Sequence, residues 1–194
     1  MNDFKSCFIA IVGRPNAGKS TVLNSLLGEK IAITTSRPQT TRNRILGILN
    51  RENSQIVFVD TPGVHKPRTK LGEYMNKAAI DSIENVDAAL FMVDAEWGLG
   101  DAEERIMKQL RDKGIPAVLA INKVDLVQKE KILPLISEFS EAFSFDAIVP
   151  ISAKTGDGTK SLQSELEKYL APGPMFYPDD MITDQPERVL AAEL

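Results

Sequence analysis

Residues Gly13-Arg14-Pro15-Asn16-Ala17-Gly18-Lys19-Ser20 place two glycines, a lysine and a hydroxyl at the spacing G-x-x-x-x-G-K-S. Glycines let a backbone wrap a polyphosphate so that successive N–H groups face its oxygens, and a helix starting at the lysine adds the positive end of its dipole. In that arrangement Lys19 reaches the β- and γ-phosphates. The Ser20 hydroxyl takes one place in a Mg²⁺ octahedron whose other places go to phosphate and water. Thr21, next along, completes the candidate phosphate contacts. An isolated glycine turn could carry the same letters, so the flanking elements decide between the two.

Three further segments carry chemistry. Asp60-Thr61-Pro62-Gly63 offers a carboxylate that could hold Mg²⁺ through water and a Gly63 N–H that could meet a γ-phosphate. Asn122-Lys123-Val124-Asp125 supplies what guanine requires, a carboxylate at Asp125 for N1–H and the 2-amino group and an Asn122 amide for the N7/O6 edge. The methylene stem of Lys123 could lie along the base. Adenine lacks the two donors, and a site that leaves a buried polar group unpaired rejects such an analogue by about 10⁴ or more. Ser152-Ala153-Lys154 offers a backbone N–H for the guanine O6.

Each segment follows an apolar run, and these runs are the elements that must position it. Cys7–Val12 precedes the first loop, and Thr21–Leu27 continues it as a helix. Residues 44–50 and 55–60 flank the polar residues 51–54 and read as an antiparallel hairpin ending at Asp60. Leu71, Tyr74, Met75, Ala78, Ala79 and Ser82 recur at helical spacing, and residues 88–94 form a near-continuous apolar strand. Then follow a helix over 101–111, a strand over 117–122, a helix over 129–143, a strand over 147–151 and a helix over 159–170. Alternating strands and helices build a mostly parallel sheet with helices on both faces, whose ligands gather at the carboxyl ends of the strands.

Composition narrows the function classes. At 194 residues with 43 % hydrophobic and 26 % charged residues, the chain suits one sizeable globular core. A net charge of −4 opposes a broad nucleic-acid footprint. The single cysteine, Cys7, lies in a strand and reads as core. No apolar run reaches the length of a membrane span and the N-terminus has no signal-peptide pattern, so a cytoplasmic location is expected.

In this order the four segments, with the loop Thr34–Arg42 and the tail Phe176–Asp184, resemble the Era-like branch of the translation-factor-type P-loop GTPases across essentially the whole chain. The resemblance implies the small G-protein fold: α/β, a mostly parallel six-stranded sheet with one antiparallel strand, helices on both faces. It implies binding of GTP/GDP with Mg²⁺ and slow hydrolysis of GTP to GDP and phosphate. The loop 34–42 becomes switch I, with Thr41 as its Mg²⁺ ligand and Thr40 as the substitute, and residues 60–70 become switch II. Lys19, Thr41, Gly63 and Asn16 form the implied catalytic set. Val64 stands where signalling GTPases carry the glutamine that orients water. An apolar side chain cannot do this, which leaves backbone groups, a cation or a distant residue. Asn16 is the candidate ligand of a K⁺ beside the β–γ bridge, the alternative being a turn residue. His65 is the other substitute, although a lone histidine in a polar loop is usually just solvated.

The texture changes at Ala171-Pro172-Gly173-Pro174. Residues 1–171 read as the GTPase domain and 172–194 as a linker and the start of a further domain, with 172–194 mobile or borrowed by a neighbour. Asp184, Pro186 and Glu187 mark a new helix start, whose Val189, Leu190 and Leu194 ask for a partner. The resemblance makes that partner a KH-type RNA-binding domain; a dimerisation arm is the alternative. It further implies 16S rRNA and the small ribosomal subunit as partners through that domain, no specific RNA binding by these residues alone, a monomer, and contact with the inner face of the cell membrane as a second location. Competing functions are another ribosome-assembly or tRNA-modification GTPase and a nucleotide-dependent binding switch with negligible turnover. A P-loop kinase would need a lid and an acceptor site and no NKVD segment.

Overall fold

The computed structural model describes residues 4–29, 45–60 and 86–183. Strand β1, Lys5–Gly13, leads into helix α1, Lys19–Leu27; β2, Ile45–Arg51, and β3, Ser54–Asp60, follow as a hairpin. After β4, Ala88–Asp94, come α2, Asp101–Lys113, β5, Ala117–Asn122, α3, Ile132–Ala142, β6, Ala147–Pro150, α4, Thr159–Glu167, and the two-residue β7, Ala171–Pro172. The main sheet runs β2-β3-β1-β4-β5-β6, parallel throughout except for the β2–β3 pair. Among the described residues the sheet has seven strands, against the six expected. Strand β4 pairs with β1 only from Ile9 onward, and β7 pairs antiparallel with Lys5 and Ser6, which β4 does not reach.

Alternation along the central strands explains the layers. Ile9, Ile11, Phe58, Leu90, Met92 and Ala120 face α1 and α4, where Leu23, Leu26, Leu162 and Leu166 meet them. Ala10, Val12, Phe91, Val93, Leu119 and Ile121 face the opposite way, against Ile106 and Leu110 of α2 and Phe139 of α3. A sheet buried on both faces must read as continuous apolar runs, which is the pattern these strands carry. Since β1 and β4–β6 all run the same way, their carboxyl ends share one edge, and that edge carries the loop at Gly13, the Asn122 turn and the Ser152 turn.

Several boundaries differ from expectation for local reasons. The helix expected over 129–143 begins at Ile132, after a 3-10 turn at Lys129–Lys131. Pro134 explains this, because its ring is accommodated only in the first turn of a helix. The hairpin is tighter than the four-residue connection expected, leaving only Glu52 and Asn53 between the strands. The last helix stops at Glu167 and the sixth strand at Pro150.

Residues 172–183, expected to be mobile or borrowed, instead lie against the hairpin. The fully buried Gln55 amide accepts from the N–H groups of Phe176 and Tyr177 at 2.9 and 3.1 Å, and donates to the Tyr177 carbonyl and to Asn50 Oδ1. Asn50 Nδ2 in turn donates to the carbonyls of Asp179 and Met181 at 3.0 and 2.9 Å. The Ile48 N–H reaches the Ile182 carbonyl, and Thr183 bridges Gly47, so the outer edge of β2 is partly paired. Phe176 packs edge-on to Phe8 with centroids 4.8 Å apart. Switch I, Thr40, Thr41, Gly63, Val64, His65, the helix over 71–82 and the helix start at Asp184 lie outside the described residues. No helix among the described residues is long and apolar enough to cross a membrane.

Candidate nucleotide site

The phosphate loop is shaped by close contacts that leave no room for a side chain at Gly13 or Gly18. Gly13 passes the end of β4 so closely that a Cβ there would lie 2.3 Å from the Met92 carbonyl oxygen. Gly18 has a left-handed φ of 96° and caps α1; a Cβ on it would lie 2.1 Å from Asn122 Nδ2. Asn16 also has a positive φ, 64°, tolerable for asparagine and costly for most other residues. Arg14, Pro15, Asn16 and Ala17 thus form the bend between β1 and α1, closed by the Ala17 N–H donating to the Arg14 carbonyl at 3.3 Å.

Lys19, Ser20 and Thr21 make up the first turn of α1. That turn has no side-chain cap at Gly18 and no acidic residue, so its N–H groups and dipole favour an anion there. Lys19 is buried. Its Nζ donates to the carbonyls of Arg14 at 2.8 Å and Gly13 at 3.3 Å, which folds the ammonium over the loop. These bonds are what makes a buried ammonium tolerable.

Asn122 joins the two ends of the site. Its Nδ2 donates to the Ala17 carbonyl and its Oδ1 accepts from the Ala153 N–H, both at 2.9 Å. One amide at the end of β5 therefore ties the phosphate loop to the Ser152-Ala153-Lys154 turn. These two bonds are compatible with the expected role at the N7/O6 edge, because N7 and O6 are acceptors and the second hydrogen of Nδ2 is not used by either bond.

Lys123 adopts φ 65°, and its ammonium pairs with the carboxylate of Asp94 at the end of β4. Asp94 also accepts from the Glu96 N–H at 3.0 Å, which fixes its side chain. Asp94 is a site residue that sequence reasoning passed over. The signal was present, since it is a carboxylate ending an apolar strand, just as Asp60 is. Asp125 lies in the 3-10 turn Val124–Leu126, exposed at the same edge. Ser152 is buried with its Oγ accepting from the Thr155 N–H, Ala153 is buried, and Lys154 is exposed.

Asp60 ends β3 opposite Ile11 of β1, two residues before the phosphate loop begins. A hydroxyl at Ser20 and a carboxylate at Asp60 are hard oxygen donors of the kind Mg²⁺ takes when phosphate and water fill its other positions, so these residues fit that ion. Thr41 and Gly63, expected beside them, lie outside the described residues. Among the described residues no cluster of three or more His, Cys, Asp or Glu side chains could hold a metal alone.

Comparison with known proteins gives the family and the fold. Residues 8–123 match the model of the 50S ribosome-binding GTPase family. The GTPase Era of Geobacter metallireducens is 50 % identical over 193 residues, all of this chain and 65 % of that protein. The GTPase Era of Ruminiclostridium cellulolyticum is 47 % identical over 98 % of this chain and 64 % of its own length. A crystal structure of Era in complex with MgGDPNP and nucleotides 1506–1542 of 16S ribosomal RNA superposes with a TM-score of 0.90 at 42 % identity, covering 98 % of this chain and 65 % of that one. The chain thus spans just under two thirds of the length of these relatives.

Proposed function

The chain belongs to the 50S ribosome-binding GTPase family, and from that premise we propose that it binds GTP and GDP with Mg²⁺, hydrolyses GTP slowly, and supplies the nucleotide-responsive part of an Era-type protein. The observation that carries this reading is Asn122, whose single amide holds the phosphate loop and the Ala153 N–H in one site. A nucleotide would then lie along the sheet edge, phosphates on the first turn of α1 and base toward Asp125. Lys19 then neutralises the β- and γ-phosphates. Ser20, Asp60 and Thr41 would hold Mg²⁺, which would supply charge neutralisation to the phosphates. Val64 cannot orient water as glutamine does, so backbone groups would place the nucleophile, while the Gly63 N–H would meet the γ-phosphate and Asn16 would hold a K⁺ that offsets leaving-group charge.

The Era relative solved with a 16S ribosomal RNA fragment supports a role in small-subunit maturation, with 16S rRNA and the small ribosomal subunit as partners. In this division residues 1–171 respond to nucleotide, and 172–194 lead from them to an RNA-binding KH-type domain. The location proposed is the cytoplasm, with the inner face of the membrane as a second site, and the chain acts as a monomer.

Single-turnover hydrolysis tests the reaction. GTP with Mg²⁺ is expected to turn over faster in K⁺ than in Na⁺ at equal ionic strength, Asn16→Ala to remove the difference, and Lys19→Ala to abolish turnover. Equal rates in both salts would return Asn16 to a turn residue. Binding of GTP without turnover in either salt would leave a binding switch only.

A further inference from the structure

Helix α2 begins beside the phosphate loop, and its first turn carries a carboxylate placed where apolar packing would be expected. Glu103 is 2 % exposed, among Ile106, Met107 and Leu110 on the buried side of α2. Its Oε1 accepts from Arg14 Nε at 2.7 Å. Its Oε2 is buried without a hydrogen-bond partner. Burial lifts the Glu103 carboxyl above its ordinary range, with backbone hydrogen bonds and then the Arg14 guanidinium pulling the other way. Gly100 lies flat against the same guanidinium, for a Cβ there would be 2.8 Å from Arg14 Nη2. A half-satisfied buried carboxylate is an expensive way to fill this space, and an apolar pair of similar volume is often more stable.

Arg14 is also where Lys19 rests, its carbonyl accepting from the lysine Nζ at 2.8 Å. The order is therefore Glu103 to the Arg14 side chain, then the Arg14 main chain to Lys19. We propose that Glu103 is a positioning residue for the phosphate loop, holding Arg14 so that its carbonyl sets the height of the Lys19 ammonium over the β-phosphate. This rests on the nucleotide-binding reading above. Glu103 touches no substrate. Its effect passes through Arg14, so the pair matters for ligands with a β-phosphate and not for those without one.

The experiment measures GDP and GMP affinities for wild type, Arg14→Ala, Glu103→Gln and the apolar pair Arg14→Met with Glu103→Leu, alongside thermal unfolding of each. Both single variants are expected to weaken GDP about tenfold, the coupling typical of residues in one network, while leaving GMP unchanged. The apolar pair is expected to weaken GDP by the same factor while unfolding at an equal or higher temperature. That result separates positioning from stability, because a merely structural pair would lower both together. Equal losses for GDP and GMP, or an Arg14→Ala effect with none from Glu103→Gln, would overturn the proposal. Wild type failing to bind GDP at all would instead remove the nucleotide reading and the proposal with it.

Discussion

The two ends of the site are built by different means. At the phosphate end, shape comes from close approaches that only glycine allows: Gly13 against the Met92 carbonyl and Gly18 against the Asn122 side-chain amide. At the base end, position comes from side chains: Asp94 holds Lys123, and Asp125 stands exposed on a short 3-10 turn. Polyphosphate is the same in every nucleoside triphosphate, so the phosphate end can be fixed in backbone. A base must be told from others, and this is done by groups that substitution can exchange without refolding the chain. Changes at the first end should therefore abolish binding, whereas changes at the second should retune it.

The largest effect is expected at Gly13. Gly13→Ala drives a Cβ into the Met92 carbonyl oxygen, a contact that β1 and β4 cannot relieve without moving apart. About 3 kcal/mol of stability should be lost, together with the rise in unfolding temperature that GDP gives wild type. A variant that GDP still protects would mean that the loop has slack the close contact denies. Asn122→Ala comes next, because it leaves the Ala17 carbonyl and the Ala153 N–H unpaired in a buried place. About 2 kcal/mol should go, with GDP and guanosine weakened together, since both ends lose their tie. Selective loss of one ligand would show that Asn122 serves only one end. The smallest change is Asp94→Ala, which frees the Lys123 ammonium from a partly exposed pair. Stability should fall by about 1 kcal/mol or less and guanine nucleotides bind a few-fold more weakly. A loss as large as that of Asn122→Ala would make Asp94 a structural anchor.

The contrast also explains what could be read from sequence. Apolar runs ending in a functional letter located β4 and β5 to the residue, because a strand buried on both faces has few alternatives. The loop G-x-x-x-x-G-K-S was legible because its chemistry is local. Pairs between Arg14 and Glu103, Lys123 and Asp94, and Gln55 and Tyr177 were not, since 89, 29 and 122 residues separate the partners and no local period marks them. The tail was misjudged for the same reason. Its prolines exclude a helix, and they say nothing of the amides of Asn50 and Gln55 that receive its backbone. The bonds of the Asn122 amide to Ala17 and Ala153 were not legible either, because they depend on how the loop before α1 packs beside β5.

The central claim, that the carboxylate at the base end selects guanine while the phosphate end stays intact, is tested most directly by Asp125→Asn. An amide can donate to the 2-oxo group of xanthine, which a carboxylate repels, and it loses the paired acceptance from guanine N1–H and the 2-amino group. Competition of GTP, XTP and ATP for wild type and variant should show preference moving from GTP to XTP by about a hundredfold or more, with the unfolding temperature of the nucleotide-free variant unchanged. A folded variant that keeps the wild-type preference for GTP over XTP would contradict the account and remove Asp125 from the base site.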